Sequence, residues 1–189
     1  MLDLSISDFS VLGFGGLFCL VWAAGLSLQL PIRTKLILFN TEENMDALRL
    51  CYLSAGVFFI VGLLCGIWKY IGIIKSKDAT APEYISILHR ASLLYSFACI
   101  LLAKFVELST LSEEINFYSA LAAIVFFSFA QVTYFLHALL KDTENQFAKP
   151  YRLGNWILPS FLIHFSMALL ILGELGGFLI LFWGFVRSL

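Results

Sequence analysis

Three histidines are the side chains of this sequence best suited to bind a metal ion or a haem. His89, His137 and His164 carry its only imidazoles, and imidazole is the commonest metal ligand in proteins and an axial ligand of haem. No HxxxH or ExxH spacing occurs, so each ligand would come from a separate helix. Gln131 and Tyr134 precede His137 at steps of three, on one helix face. We weigh a cofactor site built from the three histidines, with haem b as one candidate, against hydrogen-bonded structural histidines.

Two charged residues lie within apolar stretches of the sequence. Lys104 and Glu174 have opposite charges and similar expected depths in a membrane, which predicts an ion pair between them. Glu107, one helical turn beyond Lys104, is the competing local partner. Ionisable groups inside a membrane mark ion and substrate paths, so this pair favours a small oligomeric channel or transporter.

The composition indicates that these side chains sit in a lipid bilayer. Hydrophobic residues make up 60% of the 189 residues and charged residues 13%, against about 45–50% and about 25% in soluble domains. A soluble fold of this length cannot bury such an excess. The net charge of −1 gives no reason to expect a nucleic acid as partner. The four cysteines form no CxxC pair, which argues against a disulfide scaffold or zinc ribbon.

Five apolar runs are long enough to cross the bilayer. Each has at least the roughly 20 residues that a hydrocarbon core of about 30 Å requires, and none alternates in the way that barrel strands do. The predicted fold is therefore all-α, a polytopic membrane helix bundle with five transmembrane helices in a single domain. The predicted spans cover residues 9–30, 48–74, 85–108, 117–140 and 156–186.

The distribution of lysine and arginine predicts the orientation. Positive charges are frequent in the loops after the second and fourth spans, whereas the loop after the third span has Glu113 and Glu114 and no positive charge. Three basic residues in or beside the first loop run against this trend. We expect the N-terminus in the cytoplasm and the C-terminus outside, in a bacterial inner membrane or an organelle membrane. The three histidines then lie toward the cytoplasm, where the polar loop 141–146 would either close over them or be a solvated connection.

Glycine pairs at a spacing of four predict faces where helices touch. Gly62 with Gly66, and Gly173 with Gly177, allow the close backbone approach that membrane helices use. The spacing does not decide whether these faces meet within one chain or between chains. Because no motif names a reaction, we expect a non-catalytic component of a homo-oligomer or larger membrane complex. The alternatives are a haem- or metal-dependent intramembrane enzyme or redox subunit, and the channel or transporter described above.

A few residues resemble the small haem-dependent membrane isomerases of the styrene oxide isomerase type. Those proteins also place a histidine at the start of a span and an Asn-Gln-Phe loop two helices later, as His89 and Asn145-Gln146-Phe147 stand here. The resemblance would imply a bound haem and a catalytic aspartate. The aspartate position corresponds to Phe127, and this chain has one predicted span more, so we infer no membership of that family.

Overall fold

The computed structural model describes residues 46–189, which form four long helices and one short hairpin. All four helices are long and apolar enough to cross a membrane, so this part of the chain is compatible with an integral membrane protein. The elements are α1 (Ala47–Lys75), α2 (Glu83–Leu108), α3 (Glu113–Leu140), β1 (Arg152–Leu153), β2 (Trp156–Ile157) and α4 (Ser160–Val186).

The four helices correspond to four of the five predicted spans. The predicted first span, residues 9–30, lies outside the described residues, so the count of five is not matched. The last span was predicted at residues 156–186, but its helix begins only at Ser160. The residues of β2 pair antiparallel with β1 instead. Pro159 then stands at the N-cap of α4 with φ −66°, a position that suits proline because it needs no backbone N–H.

α1 packs along α2 at two glycines. A Cβ atom built on Gly62 would lie 2.7 Å from Cδ2 of Leu93, and one built on Gly66 would lie 3.0 Å from Cε1 of His89. Side chains of α2 therefore fill the space that a side chain on α1 would need. In lipid, where the hydrophobic effect no longer drives helices together, such close approach supplies van der Waals contact.

α4 packs on α3 in the same manner. A Cβ on Gly173 would collide with the ring of Phe126, and a Cβ on Gly177 would collide with the backbone carbonyl oxygen of Ser119. Both predicted glycine faces thus meet helices of the same chain.

Hydrogen bonds connect helix termini at one end of the bundle. Asp46 caps the first turn of α1, and Oε1 of Glu113, the first residue of α3, accepts the N–H of Ala47 at 2.8 Å. Thr110, between α2 and α3, donates its hydroxyl to the carbonyl of Gly184 near the end of α4 at 3.1 Å. α1 and α3 therefore run in one direction, and α2 and α4 in the other.

We expect Gly177→Ala to destabilise the fold and Gly176→Ala to leave it unchanged. The new methyl group at position 177 meets the backbone of Ser119, which moves only if α3 moves. At position 176, no atom of the described residues lies within 4 Å of the new methyl group. The cost at position 177 should be about 1–3 kcal/mol of unfolding free energy. Thermal unfolding in detergent, followed by circular dichroism, measures both variants. Equal unfolding temperatures would contradict the contact between α3 and α4.

Candidate functional site

A buried histidine–aspartate pair lies at the end of the bundle where α3 finishes. His137 and Asp142 have side chains only 6% and 5% exposed, and His137 Nδ1 lies 2.8 Å from Asp142 Oδ1. Because an ionised carboxylate only accepts hydrogen bonds, the imidazole donates through Nδ1–H. The second carboxylate oxygen of Asp142 accepts the N–H of Gly154 at 2.5 Å. One carboxylate thus joins α3 to the hairpin that precedes α4.

The chain between α3 and α4 is shaped to make this contact. Lys141 ends α3 in a left-handed conformation, with φ 51° and ψ 37°, and this turn brings Asp142 back to His137. Gly154 has φ 61° at the turn between β1 and β2, where a positive φ favours glycine. The hydroxyl of Tyr84, in α2, accepts the N–H of Gln146 at 2.6 Å. The loop 141–146 therefore lies over the His137 end of the bundle.

A row of tyrosines leads from His137 into the bundle. The rings of Tyr84 and His137 have centroids 4.8 Å apart, and those of Tyr84 and Tyr134 are 6.3 Å apart. Tyr95 lies next to Tyr134, close enough for their phenol groups to interact. Tyr95 in turn stacks on Phe127 at 4.5 Å. This tyrosine row, Tyr84, Tyr134 and Tyr95, passes between α2 and α3.

Glu174 lies in the middle of α4, near the tyrosine row. Its carboxylate is close enough to interact electrostatically with both Tyr95 and Tyr134. Its Oε1 is buried and has no hydrogen-bond partner among the described residues. Polar groups buried without a partner are costly, and more so within a bilayer. Protonation of the carboxyl removes the charge that makes such burial costly.

A second unpartnered group lies between α2 and α3. Gln131 is fully buried, and its Oε1 accepts the hydroxyl of Ser92 at 3.1 Å. Its Nε2 is buried without a hydrogen-bond partner in the described part of the chain. Within residues 46–189, an unpaired donor on Gln131 thus accompanies the unpaired acceptor on Glu174.

Lys104 is paired with Glu107 and not with Glu174. Its Nζ lies 3.0 Å from Oε2 of Glu107, and both side chains are about half exposed. This is the local i,i+3 alternative that the sequence offers, and it needs no second helix to form. Within residues 46–189, Glu174 forms no ion pair.

The three histidines have different partners. His89 donates from Nδ1 to the carbonyl of Gly62 at 2.8 Å, whereas His137 is held by its aspartate. His164 is exposed on α4, with the ring of Tyr151 6.2 Å away. Across residues 46–189, no group of three or more His, Cys, Asp or Glu side chains is arranged to hold a metal ion. The haem and metal hypotheses gain no support from this geometry.

Sequence reasoning found some of these residues and missed others. Glu174 stood out as a charge in an apolar run, and the spacing of three marked Gln131 and Tyr134. Asp142 was missed because its role depends on the left-handed turn at Lys141, which no pattern in the sequence predicts. Tyr95 was missed because a tyrosine in an apolar run looks the same whether it faces lipid or a neighbouring helix.

Comparison with known proteins adds no relative from which a function could be transferred. No family model, no curated protein and no solved structure matches this chain. The function proposed below therefore rests on the described side chains.

The acid–base behaviour of Asp142 follows from its contacts. Burial alone would raise the pKa of this carboxyl, but the hydrogen bonds from His137 and Gly154 outweigh burial and hold the pKa below its ordinary value of 3.8. A carboxyl with a pKa lower in the folded than in the unfolded state stabilises the fold above its unfolded pKa. That contribution is lost as the pH falls through the folded pKa.

We therefore expect Asp142→Asn to lower the unfolding free energy at neutral pH by about 1–3 kcal/mol, because one of two buried acceptors is lost. The variant should also lose less stability than the unchanged protein as the pH drops below about 3.8. Asp78→Asn, at an exposed loop position, is the control. Thermal unfolding over a pH series measures all three proteins. An acid response of Asp142→Asn identical to that of the unchanged protein would refute the assigned role.

Proposed function

We propose that this chain is a small membrane-embedded proton channel or transporter in which Glu174 takes up and releases the proton. The observation that carries the proposal is a series of protonatable side chains in contact, Asp142, His137, Tyr84 and Tyr134, with Glu174 within electrostatic range of Tyr134. Asp, Glu and His side chains form proton relays in membrane pumps and transporters, and the phenol group of tyrosine can both donate and accept a hydrogen bond. Along α2, the step from Tyr84 to Tyr95 alone covers about 16 Å at 1.5 Å per residue.

The buried Oε1 of Glu174, which has no hydrogen-bond partner within residues 46–189, supports this role. An ionised carboxylate inside a membrane is costly unless it has a partner, and Lys104, the cation expected to pair with it, binds Glu107 instead. A proton satisfies the carboxyl when no cation is present. Because the phenol groups of Tyr95 and Tyr134 both donate and accept hydrogen bonds, they suit a group that alternates between two protonation states.

Proton flux into liposomes tests the proposal. With a potassium diffusion potential as driving force and an enclosed pH-sensitive dye, the reconstituted protein should acidify the lumen faster than protein-free liposomes do. Glu174→Gln keeps the shape of the side chain but cannot ionise, so it should abolish this flux.

Glu107→Gln is the matched control, because it changes another carboxyl at an exposed position. It should retain the flux, and size-exclusion chromatography of both variants reports whether they fold. Flux that is undiminished in Glu174→Gln, or no greater than that of protein-free liposomes, would reject the role of Glu174.

A non-catalytic component of a homo-oligomer or larger membrane complex is the second candidate. It is favoured by α4, whose large apolar side chains Phe161, Leu172 and Trp183 are exposed in the described part of the chain. The glycine pairs no longer favour it, because they pack within the chain. Light scattering of the detergent-solubilised protein distinguishes an oligomer from a monomer. For both candidates, we propose that the N-terminus lies in the cytoplasm and that the membrane is a bacterial inner membrane or an organelle membrane.

A further inference from the structure

A cleft of about 880 Å³ opens at the end of the bundle where α1 finishes and α2 begins. Its walls are the last turns of α1, the loop between α1 and α2, the first turn of α2 and the loop that follows α3. Four charged side chains line it, two positive and two negative: Lys75, Lys141, Glu83 and Glu144. His137, Asp142 and Glu174 are not among its lining residues, so the cleft is separate from the proton path proposed above.

The two lysines of the cleft are available to a ligand. Neither Lys75 nor Lys141 forms an ion pair within residues 46–189. Lys141 also occupies the left-handed position that ends α3, where glycine is the usual residue because it has no Cβ. A lysine there brings a positive charge to the cleft, although its Cβ makes the left-handed conformation less favourable than it is for glycine.

The start of α2 adds hydrogen-bond donors. Pro82 is the N-cap and provides no side-chain cap, so the backbone N–H groups of Glu83 and Tyr84 have no partner within the helix. Such a helix N-terminus favours a negatively charged group. Together with Lys75 and Lys141, it forms a position for a phosphate.

The carboxylates of Glu83 and Glu144 favour a positively charged group beside that phosphate. Glu144 has no ion pair in the described part of the chain, and Glu83 has only a loose one, at 3.7 Å from Arg90. A primary ammonium donates three hydrogen bonds to such oxygens. The quaternary ammonium of choline has no N–H to donate.

We propose that this cleft binds the phosphoethanolamine headgroup of a membrane phospholipid. The phosphate contacts Lys75, Lys141 and the start of α2, while the ammonium contacts Glu83 and Glu144. The two positive and two negative side chains match the two charges of this zwitterion.

The apolar surroundings identify the ligand as a lipid and not as free phosphoethanolamine. Trp68, Ile71 and Ile85 complete the lining, and Tyr70 and Ile74 are exposed on the same part of α1. Aromatic residues near the ends of membrane helices lie at headgroup level. Acyl chains can run along this exposed face of α1, which a soluble molecule would leave unused.

Native mass spectrometry of the detergent-purified protein tests the assignment. Phosphatidylethanolamine, phosphatidylcholine and phosphatidylglycerol with identical acyl chains are titrated separately, and soluble phosphoethanolamine is added as a competitor. Phosphatidylethanolamine should bind at least about tenfold more tightly than the other two lipids, because charge-assisted hydrogen bonds are lost with either. Soluble phosphoethanolamine should compete only weakly.

The double variant Lys75→Ala, Lys141→Gly should weaken phosphatidylethanolamine binding by about tenfold or more. Lys77→Ala is the matched control, because Lys77 lies in the same loop region but does not line the cleft. If the double variant fails to fold by circular dichroism, Lys141→Gly alone is measured, since glycine suits that backbone position.

Four results would overturn the proposal. Equal binding of phosphatidylethanolamine and phosphatidylcholine would remove the role of the carboxylates, and tighter binding of phosphatidylglycerol would do the same. Unchanged binding by the lysine variants would show that the lipid binds elsewhere. Competition by soluble phosphoethanolamine at the same concentration as the lipid would show that the ligand is not a lipid.

Discussion

A polar group inside a membrane-spanning bundle must find its partner within the protein, because lipid tails offer none. Most polar side chains of α2 meet this requirement. His89 donates to the carbonyl of Gly62 and Ser96 to that of Ala55, at 2.8 and 2.9 Å, so both tie α2 to α1. Within residues 46–189, Oε1 of Glu174 is one of the few buried side-chain atoms without a hydrogen-bond partner.

The glycine contacts between α3 and α4 determine where Glu174 lies. Gly173 and Gly177 hold α4 against Phe126 and Ser119 of α3, and Glu174 lies between them in sequence. A larger residue at either glycine would move α4 outward and carry the carboxyl away from the tyrosine row. The apolar packing and the proposed proton path thus depend on the same helix contact.

The sequence predicts the four described helices well, because each is a long apolar run with few charges. It predicts their ends less well, since Trp156 is as apolar as a helix residue and only the pairing of β2 with β1 shows that it lies outside α4. Spacing also gave two partners for Lys104, and the local one is formed because Glu107 shares its helix. No spacing could decide which helix each glycine pair would touch.

The candidate site was only partly visible from the sequence for a related reason. Glu174 is conspicuous in any sequence, because a carboxyl in an apolar run is rare. Its neighbours Tyr95 and Tyr134 become recognisable only when α2, α3 and α4 are brought together. Asp142 depends on a left-handed turn and a hairpin, which are decided by the packing of the whole loop.

The protonation of Glu174 is the central claim, and infrared difference spectroscopy of the reconstituted protein measures it directly. A protonated carboxyl has a C=O stretching band that an ionised carboxylate lacks. We predict that a pH change produces such a band, that Glu174→Gln removes it, and that Glu107→Gln retains it. A difference spectrum that is the same in the unchanged protein and in Glu174→Gln would contradict the claim that this carboxyl exchanges a proton.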